Sequence, residues 1–255
     1  MIVRVTEGVA SRVGIDVPGT RNALSTAVLD GIAEAIRRLS QRDQTRVIVL
    51  TGEGGSFSSG ADLKENAPVK RAAAAVTGVY EAIAQSPQPV LARVEGRCLG
   101  LAVGLVAACD LAIAAADTSF GLPEPRLGQA PTLAALTIVP RLRRSDANEL
   151  LLTGAMFDGI RASAMGLVNE SVPAARLDEA VGQWIGRLTA GGPGAIAACK
   201  KLVRMLSAGA GPGALPAVTG LAAQLAAAAE AEEGRAAFLE RRAPRWAALA
   251  AGAER

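Results

Sequence analysis

The chain contains no histidine. That excludes the usual Ser-His-Asp and Cys-His nucleophilic machinery and removes the commonest metal ligand, so no metal site is expected. Its three cysteines, Cys98, Cys109 and Cys199, show no CxxC spacing. Cys98 and Cys109 lie in apolar stretches and read as small buried hydrophobes. A small odd cysteine count, together with an N-terminus (Met1–Val5) that reads as a strand rather than a leader, points to a reducing, cytoplasmic compartment. Aromatic residues make up only 3% of the chain, which leaves alanine, leucine and valine to fill the core. Lysine and arginine form no long run and the net charge is only +3, against the concentrated basic face of a nucleic-acid protein. The longest apolar run, Cys98 to Cys109, stops at Asp110. It is shorter than the about 20 residues that a membrane-spanning helix needs.

What remains is a globular composition. The chain has 255 residues, half apolar and a fifth charged, enough to bury a substantial core. Ile2–Val5 and Val9–Val17, joined by a turn near Glu7-Gly8, predict a hairpin. Ser25 stands as N-cap to a helix whose apolar face is Val28, Leu29, Ile32, Ile36 and Leu39. Val47–Leu50 and Pro89–Ala92 are short continuous apolar runs, as buried parallel strands require. A helix over Ala72–Ala84 separates them, and a second helix (Leu101–Ala108) precedes a third strand at Leu111–Ala114. This alternation predicts an α/β fold with right-handed crossovers. From Thr132 onward helical patterns dominate, at Ala147–Leu152, Leu177–Leu188, Ala195–Leu206 and from Leu221 into Trp246, with one further strand at Gly166–Val168. Gly209–Gly213 reads as a hinge. The expected organisation is a core over residues 1–190 and a helical lobe over 191–255.

Two glycine-containing loops, Thr51–Leu63 and Val94–Gly104, each follow a buried strand. Loops at the carboxyl ends of parallel strands are where α/β proteins bind ligands. Glycine lets the backbone approach a substrate and turns N–H groups outward, and two such groups, one from each loop, meet the requirement for holding a developing oxyanion. A dinucleotide fold fits poorly because GxGxxG is absent, and no Gly-Lys-Ser/Thr completes a P-loop.

Five segments, in order along the chain, resemble the motifs of the crotonase (enoyl-CoA hydratase/isomerase) family: Asn22–Ser25, Phe57–Lys64, Ala107–Ala114, Phe120–Gly128 and Ala237–Pro244. The resemblance implies a core of repeated ββα units with a helical C-terminal lobe, a homotrimer or hexamer, and acyl-coenzyme A thioester substrates with no separate cofactor. By the same resemblance, the backbone N–H groups of Ala61 and Leu101 form the oxyanion hole, with Gly100 in the same substrate-binding loop. Ala23, Asp62 and Lys64 line the coenzyme A cleft, and Phe238 and Arg241 reach a neighbouring subunit's coenzyme A. Leu101 stands where the family commonly has glycine. The N–H survives that change, but the side chain must point away or narrow the acyl pocket.

Hydratases of this family with two glutamates have one on the helix after the second loop and one in the Pro-Glu segment. Here those positions hold Gly104 and Glu124. One carboxylate with a raised pKa can carry a proton between two carbons, which suits isomerisation; hydration through one glutamate must also use the water itself. Gly104 reads equally as a residue that makes space and as one that allows close helix packing. Glu53, Glu65 and Glu95 read as solvated, and Asp110 as a structural hydrogen-bonding residue. Thioester hydrolysis and a non-catalytic acyl-CoA-binding role remain as alternatives.

Overall fold

The computed structural model describes residues 2–207 and 212–247. β1 (Val3–Thr6) and β2 (Ala10–Ile15) form the expected antiparallel hairpin. β3 (Val47–Gly52), β4 (Val90–Val94), β6 (Leu111–Ala115) and β9 (Glu170–Val172) extend it in parallel, giving a six-stranded sheet in the order β1-β2-β3-β4-β6-β9. A second, three-stranded sheet, β5 (Arg97–Leu99), β7 (Ser119–Gly121) and β8 (Met156–Phe157), lies beyond the carboxyl ends of the main strands.

The central strands are apolar throughout because both faces are covered. Ile48, Leu50, Val90, Ala92, Ala112 and Ala114 face a core shared with α1 (Thr26–Ser40), α2 (Val69–Gln85) and α3 (Leu101–Ala108). Val47, Val49, Leu91, Ile113 and Ala115 face the opposite way, against Leu177, Ala180 and Val181 of α7 (Leu177–Ala190). Alternate side chains of a strand point to opposite faces, so two apolar partners turn an alternating pattern into a continuous run. Ser25 caps α1 as expected, its hydroxyl accepting from Val28 N, and the predicted apolar face of that helix is buried.

Between the sheets and the lobe come α4 (Thr132–Ile138), α5 (Arg144–Thr153) and α6 (Gly159–Ala164). The C-terminal part holds α8 (Pro193–Ser207), α9 (Leu215–Ala226) and α10 (Ala229–Leu239). Lys200 of α8 ties it to the core, donating to Ile83 O at 2.8 Å and Gln88 O at 3.0 Å and pairing with Asp110 at 2.7 Å. Asp110 also accepts from Val90 N at 2.7 Å, the structural role its position suggested. Glu230 at the start of α10 accepts from Gly194 N and Ala195 N, putting a negative charge at the N-terminus of α8. No described helix is long and apolar enough to cross a membrane.

Three expectations need correction. Gly166–Val168 is not a strand: Gly166 has φ +85°, and the N–H groups of Leu167 and Val168 both donate to Ala162 O, closing a turn after α6. Its apolar character reflects burial of Leu167 and Val168, and pairing begins only at Glu170. The stretch from Leu221 into Trp246 is broken into α9 and α10 at Ala227–Ala228, and a left-handed Arg241 follows α10. β5, β7 and β8, two or three residues each, are too short to leave a period in the sequence. Of the expected hinge, Gly209–Gly211 lie outside the described residues, and Pro212–Ala214 form one 3-10 turn.

Asp110→Ala removes the acceptor of Val90 N and the partner of Lys200 together. It should cost about 2 kcal/mol in urea unfolding, while Asp43→Ala, at an exposed position, should change stability by less than about 0.5 kcal/mol. Equal effects would show that the Asp110–Lys200 link does not hold the lobe to the core.

Candidate active site

The two glycine loops lie side by side in a fixed register. Ser58 forms a parallel bridge with Cys98: Ser58 N donates to Arg97 O at 2.9 Å and Leu99 N to Ser58 O at 3.2 Å. Ala61 and Leu101 each follow three residues after that bridge, and Ala61 itself bridges to Leu24. Gly60 has φ +96° and Gly100 φ +53°, conformations that side chains disfavour. A Cβ on Gly60 would lie 2.7 Å from Leu99 O, so the loops touch immediately before the two residues in question. Leu24 N donates to Gly60 O and Asp62 N to Leu24 O, which holds the peptide on either side of Ala61. Among the described residues no backbone carbonyl accepts from Ala61 N, nor from Leu101 N in the first turn of α3.

β5 pairs with β7 in parallel, Leu99 opposite Gly121, and Gly100 N donates to Gly121 O at 2.8 Å. The chain leaving β7 therefore runs beside the second loop and delivers Glu124 at the start of a short 3-10 helix (Glu124–Leu127). Glu124 Oε1 lies 2.6 Å from where a Cβ on Gly100 would be, so the carboxylate rests against the glycine that precedes Leu101. Its Oε2 is buried with no hydrogen-bond partner among the described residues. Burial raises the Glu124 pKa above the ordinary 4.5, opposed by a hydrogen bond from its own backbone N–H.

The other carboxylates near the loops are committed elsewhere. Glu95 pairs with Arg93 at 2.8 Å and Glu53 with Arg12 at 3.3 Å, while Glu65 accepts from the N–H and hydroxyl of Thr26 at 2.8 and 2.6 Å. They are thus bonded to a cation or a helix N-terminus rather than simply solvated. Burial pushes the Cys98 and Cys109 thiols up, Cys109 to about 12, so neither is a thiolate near neutral pH. Among the described residues no group of three metal-binding side chains occurs.

Ala23 is buried next to the Leu24–Ala61 bridge, and Asp62 Oδ1 accepts from Lys64 N at 3.0 Å. Ala23, Ala61, Asp62 and Lys64 are thus drawn together around that bridge, with the Lys64 side chain exposed. Phe238 is 82% exposed, and the Arg241 guanidinium makes no bond among the described residues, so nothing described draws either into the site of its own chain.

Two positioning residues were not visible as such in the sequence. Asn22, at φ +61°, donates from Nδ2 to Glu53 O and Ser56 O at 2.8 and 2.7 Å and accepts from Val17 N, pinning the first loop to β2. Cys98 marks the register bridge, whose hydrogen bonds run through the flanking Arg97 O and Leu99 N, and its thiol plays no part. Gly104 is a close-packing residue. A Cβ there would lie 2.7 Å from Ala134 Cα and 2.6 Å from the Tyr80 hydroxyl, which settles its role against added space.

A raised carboxyl pKa has a thermodynamic consequence. Below about pH 4.5 the group is protonated in both states and costs nothing; as pH rises through the higher folded value, the buried anion destabilises the native state. Glu124→Gln should therefore raise the melting temperature at about pH 8, with the gain vanishing near pH 4. An identical difference at both pH values would show that the carboxyl is not desolvated.

Residues 5–248 match the family model described as enoyl-CoA hydratase/isomerase. The cattle protein named enoyl-CoA hydratase domain-containing protein 2, mitochondrial, is 36% identical over 162 residues, 61% of this chain. The match spans only 55% of that relative's length. Cyclohexa-1,5-dienecarbonyl-CoA hydratase of Thauera aromatica is 31% identical over 235 residues, 88% of either chain. The crystal structure of an enoyl-CoA hydratase from Mycobacterium smegmatis superposes with a TM-score of 0.91 at 29% identity, over 96% of this chain and 99% of that one. With the fold, the two loops and the matched length in agreement, this chain belongs to the enoyl-CoA hydratase/isomerase family, the crotonases.

Proposed function

We propose that the protein hydrates or isomerises the double bond of an enoyl-coenzyme A thioester, with Glu124 as its proton carrier. The observation that carries this reading is the Glu124 carboxylate lying against Gly100, beside the Leu101 N–H, with Oε2 buried and unpartnered. On this reading the Ala61 and Leu101 N–H groups donate to the thioester oxygen and stabilise the enolate that forms when the α-carbon loses a proton or the β-carbon gains a nucleophile. The coenzyme A moiety runs along Ala23, Asp62 and Lys64.

In isomerisation, Glu124 takes a proton from the α-carbon of a 3-enoyl thioester and the electron pair moves into the enolate. The same carboxyl then returns the proton to the γ-carbon, and the double bond finishes at the 2-position. In hydration, water adds at the β-carbon of a 2-enoyl thioester, its proton passes to Glu124, and Glu124 delivers a proton to the α-carbon. Both routes need a carboxylate that is ionised at the start and readily protonated, which desolvation provides.

Residues 191–255 form, on the same reading, a trimerisation lobe appended to a core of residues 1–190. Among the described residues α9 has no fully buried side chain despite its leucines and alanines, and Leu215, Phe238 and Leu239 are exposed. Apolar side chains left exposed in this number on two neighbouring helices suit an interface. Three copies would cover it and bring Phe238 and Arg241 to a neighbour's ligand. Sedimentation at micromolar concentration should give a species of at least three chains; a monomer would overturn the assignment of the lobe.

Glu124→Gln keeps the shape of the side chain but cannot exchange a proton. It should lower both crotonyl-CoA hydration and 3-enoyl-CoA isomerisation by about 10²–10⁴ while leaving crotonyl-CoA affinity within about threefold. Wild-type turnover in that variant would move the proton carrier elsewhere.

A further inference from the structure

The chain has one tyrosine, Tyr80 on α2, and it bears on the position where the second carboxylate of a two-glutamate hydratase would project. Gly100 is the N-cap of α3 and Gly104 lies in its first turn. A Cβ on the first would meet the Glu124 carboxylate, and a Cβ on the second would meet the Tyr80 hydroxyl, each at 2.6 Å. The carboxylate therefore borders the residue that caps α3, and the phenol borders the first turn of that helix.

The hydroxyl is held but not saturated. It donates to Leu133 O at 3.4 Å, a long bond, and a phenol oxygen can also accept. Thr137 on α4 is the nearby second hydroxyl, but it is engaged with Gly104 O at 2.7 Å and Ala134 O at 3.1 Å. Burial pushes the Tyr80 pKa up to about 12, opposed by the Thr137 hydroxyl and reinforced by the Cys109 thiol. The group is therefore a neutral phenol throughout the working pH range, able to orient a ligand but not to act as its base.

We propose that Tyr80 is a positioning residue for the water of hydration, its oxygen accepting the hydrogen of the water that is not transferred. The inference rests on the enoyl-CoA reading above and adds the partner that a single carboxylate lacks. The water gives one hydrogen to Glu124 and turns its second toward Tyr80, and an oxygen lone pair forms the new bond to the β-carbon. The π electrons pass through the α-carbon to the thioester oxygen, and Glu124 then returns its proton to the α-carbon, so the net change is addition of one water. Isomerisation, which moves a proton between carbons, has no place for that water. The close packing at Gly104 is what seats the phenol: a side chain there would displace it or push α4 away.

Tyr80→Phe removes one oxygen and leaves the ring in place. The measurement is the ratio of crotonyl-CoA hydration to 3-butenoyl-CoA isomerisation in wild type and variant, with kcat and KM for each. The expected result is a fall of tenfold or more in that ratio, carried by kcat for hydration, with KM for crotonyl-CoA within about twofold. A ratio unchanged in the variant, or a loss shared equally by both reactions, overturns the role of Tyr80 and leaves the Glu124 reading intact. A wild-type enzyme that isomerises but does not hydrate overturns it too, again without touching Glu124. A wild-type enzyme that does neither removes both.

Discussion

The backbone bridge between Ser58 and Cys98 is the constraint on which the rest of the site depends. Two peptide hydrogen bonds fix the relative register of loops that are far apart in sequence, and Gly60, just before Ala61, packs against Leu99, two residues before Leu101. The neighbouring pairing of β5 with β7 then brings Glu124 to the same place. Ser58, Cys98, Phe120 and Phe157 are thus successive residues across one row of backbone, stiffened at its far end by the stacked Phe120 and Phe157 rings at 5.4 Å. A one-residue slip in either pairing would carry the first loop, or Glu124, past the second.

Chemically, the absence of histidine leaves little choice. Proton transfer near neutral pH has to come from a carboxylate whose pKa is lifted by its surroundings. Glu53, Glu65 and Glu95 are each bonded to a cation or a helix terminus. Glu124 has no such partner among the described residues and is desolvated against a glycine. The unpaired buried oxygen is a cost to the native state, and it is the property that makes this one carboxylate useful.

Much of this was legible from sequence, for identifiable reasons. The buried strands and α1 to α3 announced themselves because burial on both faces, or on one helical face, leaves a period or an unbroken run. Glu124, Ala61 and Leu101 were reached through motif resemblance, and the structure sets Glu124 against Gly100, next to Leu101, and Gly60, next to Ala61, against Leu99. What was missed has no period to show. β5, β7 and β8 are too short, the Ser58–Cys98 bridge is made by backbone atoms alone, and Asn22 acts through a left-handed turn that its neighbours do not advertise. Gly104 was ambiguous because a glycine in a helix looks the same whether it opens space or closes it. Only the proximity of Ala134 and Tyr80 decides the matter. The Gly166–Val168 error has the opposite origin: an apolar run signals burial, and burial alone does not make a strand.

The central claim is that the N–H groups of Ala61 and Leu101 both grip the thioester oxygen. Leu101 opens α3, a position where proline is tolerated because its N–H has no partner within the helix. Leu101→Pro therefore deletes one of the two donors without asking the helix to break. The most direct measurement is the infrared carbonyl stretch of crotonyl-CoA bound to the Glu124→Gln enzyme, which keeps the ligand intact, with and without Leu101→Pro. The account predicts a band moved to lower frequency on binding and largely restored to its free value by the proline. A bound carbonyl at its free frequency in the single variant, or a shift that survives the proline, would contradict it.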